Sequence, residues 1–168
     1  AHDIRDHIAD YFAEVFHGAK KVVTLHVAVD RPEKQWPLEY FAKLADLLLA
    51  DGRFEVLLTW GPGQKNLADE VLARCRRNPI VAPETPDLKH YAALAEHADL
   101  YCGGDTGPMH IASAMGTPVV AIFGGTDPSR HAPLRKPSRV LYAGSSDEPN
   151  PGDKNTAEKY LHAISPEM

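Results

Sequence analysis

Cysteine is almost absent from this sequence. Cys75 and Cys102 are the only two, they fall in different predicted elements, and no CxxC spacing occurs. A disulfide framework and a zinc ribbon are therefore excluded, and reduced thiols are expected. Long apolar runs are missing too: residues 118–123 form one of the longest, far short of the roughly 20 residues that a membrane helix needs. No signal-peptide pattern opens the chain, so a cytoplasmic location is the expectation. There is no basic excess. The 18 Lys and Arg against 23 Asp and Glu leave a formal net charge of -5, which argues against a nucleic-acid partner. Several motifs of catalysis are lacking as well: a GxSxG elbow, a Walker lysine loop, an HExxH pair and an Asp-x-Asp pair. The nine histidines are scattered. Neither a resident cofactor nor a metal site is expected.

What is present suits one domain with a substantial core, since 43% of the 168 residues are apolar. Ile4, Ile8, Tyr11, Phe12, Val15 and Phe16 recur at helical spacing before Gly18, which predicts a helix over residues 3–17. A β-branched strand follows at 21–26. Pro37 opens a second helix with Phe41, Leu44, Ala45, Leu48 and Leu49 as its buried stripe, stopped by Asp51 and Gly52. Strands are predicted at 54–60, around Ile80 and Val81, at 98–102, at 118–123 and at 139–142. Helices are predicted at 64–76, from a cap at Thr85 or Asp87 through His97, after residue 106 as far as Gly116, and at 156–163. Short strands apolar on both faces, alternating with helices, give the fold class: α/β, a Rossmann-like parallel sheet covered by helices on both sides. Ligands of such sheets bind where strand ends feed the following helices.

Four loops lie at that edge. In Cys102-Gly-Gly-Asp-Thr-Gly-Pro-Met-His110, Gly103 and Gly104 permit close backbone approach or positive φ. Asp105 and Thr106 are candidate caps, and the N–H groups of Thr106, Gly107 and Met109 are left to face an anion. His110 lies one turn beyond Thr106 on the same helix face. Gly124, Gly125 and Thr126, ahead of Asp127, form a second loop on the neighbouring strand. Before the second helix, Arg31 and Lys34 offer cations for a diphosphate, and Trp36 offers an anchor that packs the loop onto the body. The fourth loop, Trp60-Gly-Pro-Gly-Gln-Lys65, holds a bare GxG that does not make a dinucleotide fingerprint; Gln64 is a candidate contact to a ribose or base.

The strings RPEKQWPLEYFAKLADLL, CGGDTGPMHIASAMGTPVVAIFGGTDP and AISPEM, spread over residues 31–168, make the chain resemble the carboxy-terminal half of the family 9 glycosyltransferases. These are the lipopolysaccharide heptosyltransferases that use ADP-heptose. The resemblance implies the second half of a GT-B fold: residues 1–20 as an inter-domain linker helix and 21–168 as the nucleotide-sugar domain. The resemblance also implies that the acceptor domain, with the catalytic base, lies outside this chain. It implies that Asp105, Thr106, Gly107 and His110 meet the donor's phosphates and sugar, that Lys34 meets its diphosphate, and that the loop of Gly124, Gly125 and Thr126 borders the same region. The implied reaction is an inverting, metal-independent transfer of a heptose or similar sugar from an ADP-sugar to a saccharide acceptor. The resemblance also allows a peripheral contact of the full-length protein with the inner membrane. Two departures stand out: Ala28-Val29-Asp30 places a carboxylate where the family has a hydroxyl, and Gly125 stands where proline is common. Asp30 keeps a non-catalytic nucleotide or polysaccharide binding module open as an alternative. A sugar-nucleotide epimerase is the other.

Overall fold

The computed structural model describes residues 3–18, 20–135, 137–144 and 154–168. Six parallel strands form one sheet: β1 (Lys21–His26), β2 (Phe54–Thr59), β3 (Ile80–Val81), β4 (Leu100–Gly104), β5 (Val119–Phe123) and β6 (Ser138–Tyr142), in the order β3-β2-β1-β4-β5-β6. The order reverses between β1 and β4, and at such a switch point the loops beyond the strand ends splay apart and leave a crevice.

Helices cover both faces, as the doubly apolar strands require. On one face α2 (Leu38–Asp51), α3 (Lys65–Arg74) and α7 (Lys154–Ala163) bury Phe41, Val71 and Leu161 against Val23, Leu25, Leu58 and Ile122. On the other, α1 (Ile4–Val15), α4 (Leu88–His97) and α5 (Gly107–Met115) meet the remaining sides of the same strands through Ile8, Phe12, Leu94, Tyr91 and Met109. The first helix is docked on α4: Arg5 pairs with Glu96 at 3.1 Å and the Phe12 ring lies 5.5 Å from that of His97. Asp87, of the two candidate caps, starts α4, accepting from Lys89 N and His90 N. Gly116 at φ +91° closes α5, a conformation that disfavours a side chain.

Several boundaries differ from the sequence expectation. Asp3 and Pro37 are caps outside their helices, and α3 ends at Arg74. Two short helices were not foreseen, a 3-10 turn at Pro32–Lys34 and α6 at Pro128–His131. The difference that matters most is in β4. Gly103 and Gly104 are the last residues of the strand, buried and paired with Ala121 and Ile122, and neither has positive φ. Close approach is the reason for both: a Cβ at Gly103 would stand 2.6 Å from the Tyr101 hydroxyl and 3.0 Å from the His26 carbonyl, and one at Gly104 would stand 3.1 Å from Val29 Cγ1.

Candidate functional site

Four strand ends, those of β1, β2, β4 and β5, carry the residues that the sequence singles out. The β4–α5 junction is the centre. Thr106 is the residue before the first turn of α5, with extended backbone (φ -143°, ψ 167°), and its side chain makes no capping hydrogen bond. Pro108 in that turn has no N–H. The amides at the head of the helix are thus left without a side-chain cap, and they carry the positive end of the helix dipole. Gly107 is exposed, with no atom within 4 Å of the position a Cβ would take, so this end of the helix opens to solvent. Met109 is fully buried in the core, so only its backbone is available to a ligand, whereas His110 is exposed one turn on.

Asp105 does not cap the helix. Its carboxylate, 7% exposed, takes Lys34 Nζ at 2.5 Å, and the ammonium also lies 3.5 Å from the Asp105 carbonyl. The pair spans 71 residues of sequence, and Gly104 makes it possible: with no side chain there, Val29 and the Lys34 carbonyl close directly over the end of β4. The β1–α2 loop that delivers Lys34 is braced at several points. Gln35 Nε2 donates to the carbonyls of Val27 (3.0 Å) and Trp36 (2.8 Å), and the buried Trp36 indole donates to the Ile164 carbonyl at 2.9 Å. Gln64, half-buried, serves the same brace, its amide donating to the Val29 carbonyl at 3.0 Å. Arg31 and Asp30 are both exposed.

The second glycine pair has another task. A Cβ at Gly124 would stand 2.6 Å from Leu161 Cγ and one at Gly125 2.8 Å from Ala157 Cβ, so α7 leans directly on this backbone. Thr126, half-buried, follows in that loop. Asp127 caps α6 itself, accepting from Ser129 N and Ser129 Oγ, both at 2.8 Å.

Beneath the β4–α5 junction lies a polar layer that sequence reading missed. His26 pairs in register with Thr59 on one side and Gly103 on the other. Its Nδ1 lies 3.0 Å from Thr59 Oγ1, and burial pushes the imidazole pKa down to about 4, which keeps it neutral. The rings of Tyr91 and Tyr101 stand 5.7 and 6.3 Å from it. The available signal was an aromatic two residues before a buried glycine, opposite a strand-terminal histidine. Among the described residues, no group of three or more His, Cys, Asp or Glu side chains is placed to hold a metal ion, and no helix is long and apolar enough to cross a membrane.

Residues 3–161 match the profile of glycosyltransferase family 9 (heptosyltransferase). This chain belongs to that family. Lipopolysaccharide heptosyltransferase 3 of Escherichia coli K12 is 36% identical over 138 residues, covering 78% of this chain and 39% of that protein. Among solved structures, the glycosyl transferase family 9 protein of Veillonella parvula superposes with a TM-score of 0.86 at 26% identity, over 99% of this chain and 49% of that one. The E. coli ADP-heptose lps heptosyltransferase II superposes at 0.79 with 20% identity, again over 99% and 49%, which speaks to the fold alone. The chain thus spans about two fifths of the length of that curated relative and about half of each solved chain. The expected fold class stands: a Rossmann-like parallel sheet shared with GT-B glycosyltransferases.

Proposed function

We propose that this chain is the donor-binding part of a glycosyltransferase that moves a heptose, or a similar sugar, from an ADP-sugar to a lipopolysaccharide-type saccharide, with inversion and without a metal ion. The observation that carries the reading is the uncapped, solvent-facing head of α5 with the Lys34 ammonium fixed beside it. The family, and relatives described as lipopolysaccharide heptosyltransferase 3 and ADP-heptose lps heptosyltransferase II, support the choice of sugar and nucleotide.

The chemistry follows from where charge develops. As the bond from the sugar's anomeric carbon to the diphosphate breaks, negative charge grows on the departing phosphate oxygens. Donors already pointed at that charge stabilise the transition state more than the ground state. The amides at the head of α5 and the Lys34 ammonium supply such donors, and the Thr106 hydroxyl stands among them. Asp105 fixes the ammonium and neutralises it until the diphosphate arrives, and His110 reaches the same space from one turn along. Thr126 borders it from β5, on a wall that Gly124 and Gly125 build against α7. The acceptor and the base that deprotonates it belong to the rest of the protein. The nucleotide-sugar is substrate, and no resident cofactor is invoked.

Calorimetric titration of this chain with ADP tests the reading. Binding is expected in the wild type, and Lys34→Ala is expected to weaken it at least about tenfold, the scale of one charge-assisted hydrogen bond. The same variant leaves a buried carboxylate without its cation and is expected to lower stability by about 2–3 kcal/mol. No heat with wild-type protein at millimolar ADP would overturn the proposal.

A further inference from the structure

The polar layer under the anion site contains a cost that the fold does not need. Tyr101 is fully buried on β4, and its hydroxyl has no hydrogen-bond partner among the described residues; the Tyr91 hydroxyl beside it has none either. A phenylalanine would fill the same space without stranding a donor. Gly103 is kept bare at the point where that hydroxyl sits, 2.6 Å from any Cβ placed there, so the phenol is accommodated at the expense of a side chain in the strand above it. Burial raises the phenol's pKa, the neighbouring Tyr91 adds to the rise, and the Thr106 side chain works in the opposite direction.

Thr106 is the other half of the observation. Its hydroxyl caps nothing, and its hydrogen bond to the Gly104 carbonyl is 3.5 Å long, the outer limit of such a bond. A hydroxyl has one proton and two lone pairs. If the proton turns outward to an anion, a lone pair is free to face the interior, where the Tyr101 O–H stands unused.

We propose that Tyr101 is a positioning residue for the anion site: its phenol donates to Thr106 Oγ1 while the Thr106 hydroxyl proton is donated to a bound phosphate oxygen. The inference rests on the nucleotide-sugar reading above. No bond is made or broken beyond hydrogen bonds. Tyr101 stays protonated, and the two hydroxyls form a chain in which each link polarises the next. A ligand on Thr106 gives the buried donor its partner, and that gain adds to binding.

Inorganic pyrophosphate and ADP serve as probes, titrated calorimetrically into this chain and its variants. Tyr101→Phe is expected to weaken pyrophosphate binding about fivefold to tenfold, the scale of one hydrogen bond in such a chain, with a melting temperature equal to or above the wild type. Thr106→Val is expected to weaken binding at least as much, and the double variant no further than Thr106→Val alone. In wild-type protein carrying 13Cζ-labelled tyrosine, saturation with pyrophosphate should shift the Tyr101 resonance, and in Thr106→Val it should not. Unchanged affinity in Tyr101→Phe, additive losses in the double variant, or a stationary Tyr101 resonance in a protein that does bind would overturn the relay while leaving the nucleotide-sugar reading in place. A wild type that binds neither pyrophosphate nor ADP would overturn both.

Discussion

The β4–α5 and β5–α6 loops are written in nearly the same letters, GGDTG and GGTDP, on neighbouring strands, and they come out opposite in character. In the first, the glycines finish a buried strand, the carboxylate turns away to a lysine 71 residues distant, and a nine-residue helix is left with an open head. In the second, the glycines are a seat for α7, and the carboxylate folds back onto Ser129 to cap a helix of only four residues. An open helix head therefore depends less on a glycine-rich composition than on whether the nearby acid is drawn off. Where Asp105 is occupied by Lys34 the amides are free, and where Asp127 is unoccupied it takes them.

The largest expected effect that separates the two loops is acid. His26 lies under the first loop only, and its pKa of about 4 in the folded chain is below the ordinary 6.5. A group depressed in this way leaves stability intact above pH 6.5; the unfolded chain then gains protons first, and stability drains as pH falls from 6.5 towards 4. The ceiling is about 3 kcal/mol. Urea melts between pH 7 and pH 4 should show the slope, His26→Gln should flatten it, and hydrogen exchange should quicken at the head of α5 before the β5–α6 loop. Next in size is a pair of alanines. Gly103→Ala and Gly124→Ala each force a methyl into occupied space and are each expected to lose about 2 kcal/mol. Gly103→Ala should weaken ADP binding more than Gly124→Ala, because Gly103 lies directly under the head of α5 and Gly124 acts on it only through α7. Equal loss of affinity in both would erase the distinction. Smallest is Asp127→Ala, which uncaps a short exposed helix: a slight fall in melting temperature and unchanged ADP affinity are expected.

Much of this architecture could be read from the letters because parallel strands buried on both faces announce themselves as apolar runs, as at Val119–Phe123, and amphipathic helices repeat. The 3-10 turn and α6 were invisible for the converse reason: three or four residues show no period. Ending β4 early came from the rarity of glycine in strands, a preference that Tyr101 and Val29 override by taking up the room that Gly103 and Gly104 leave free. The residues proposed for the site were legible as types, but not their pairings. Asp105 looked like a cap, and neither its pairing with Lys34 nor the bond from Gln64 to Val29 can be seen until the β1–α2 loop is in place. His26 is simply the last residue of the strand predicted at 21–26, and only its register between Thr59 and Gly103 shows it to be interior.

The hydrogen bond from the Trp36 indole to the Ile164 carbonyl joins points 128 residues apart, two positions downstream of Lys34 and just after α7. It makes a lever of the β1–α2 loop. Any force that displaces the backbone after α7 is felt through the indole by the loop that carries Lys34, so the position of the ammonium is set in part by a peptide group that follows α7.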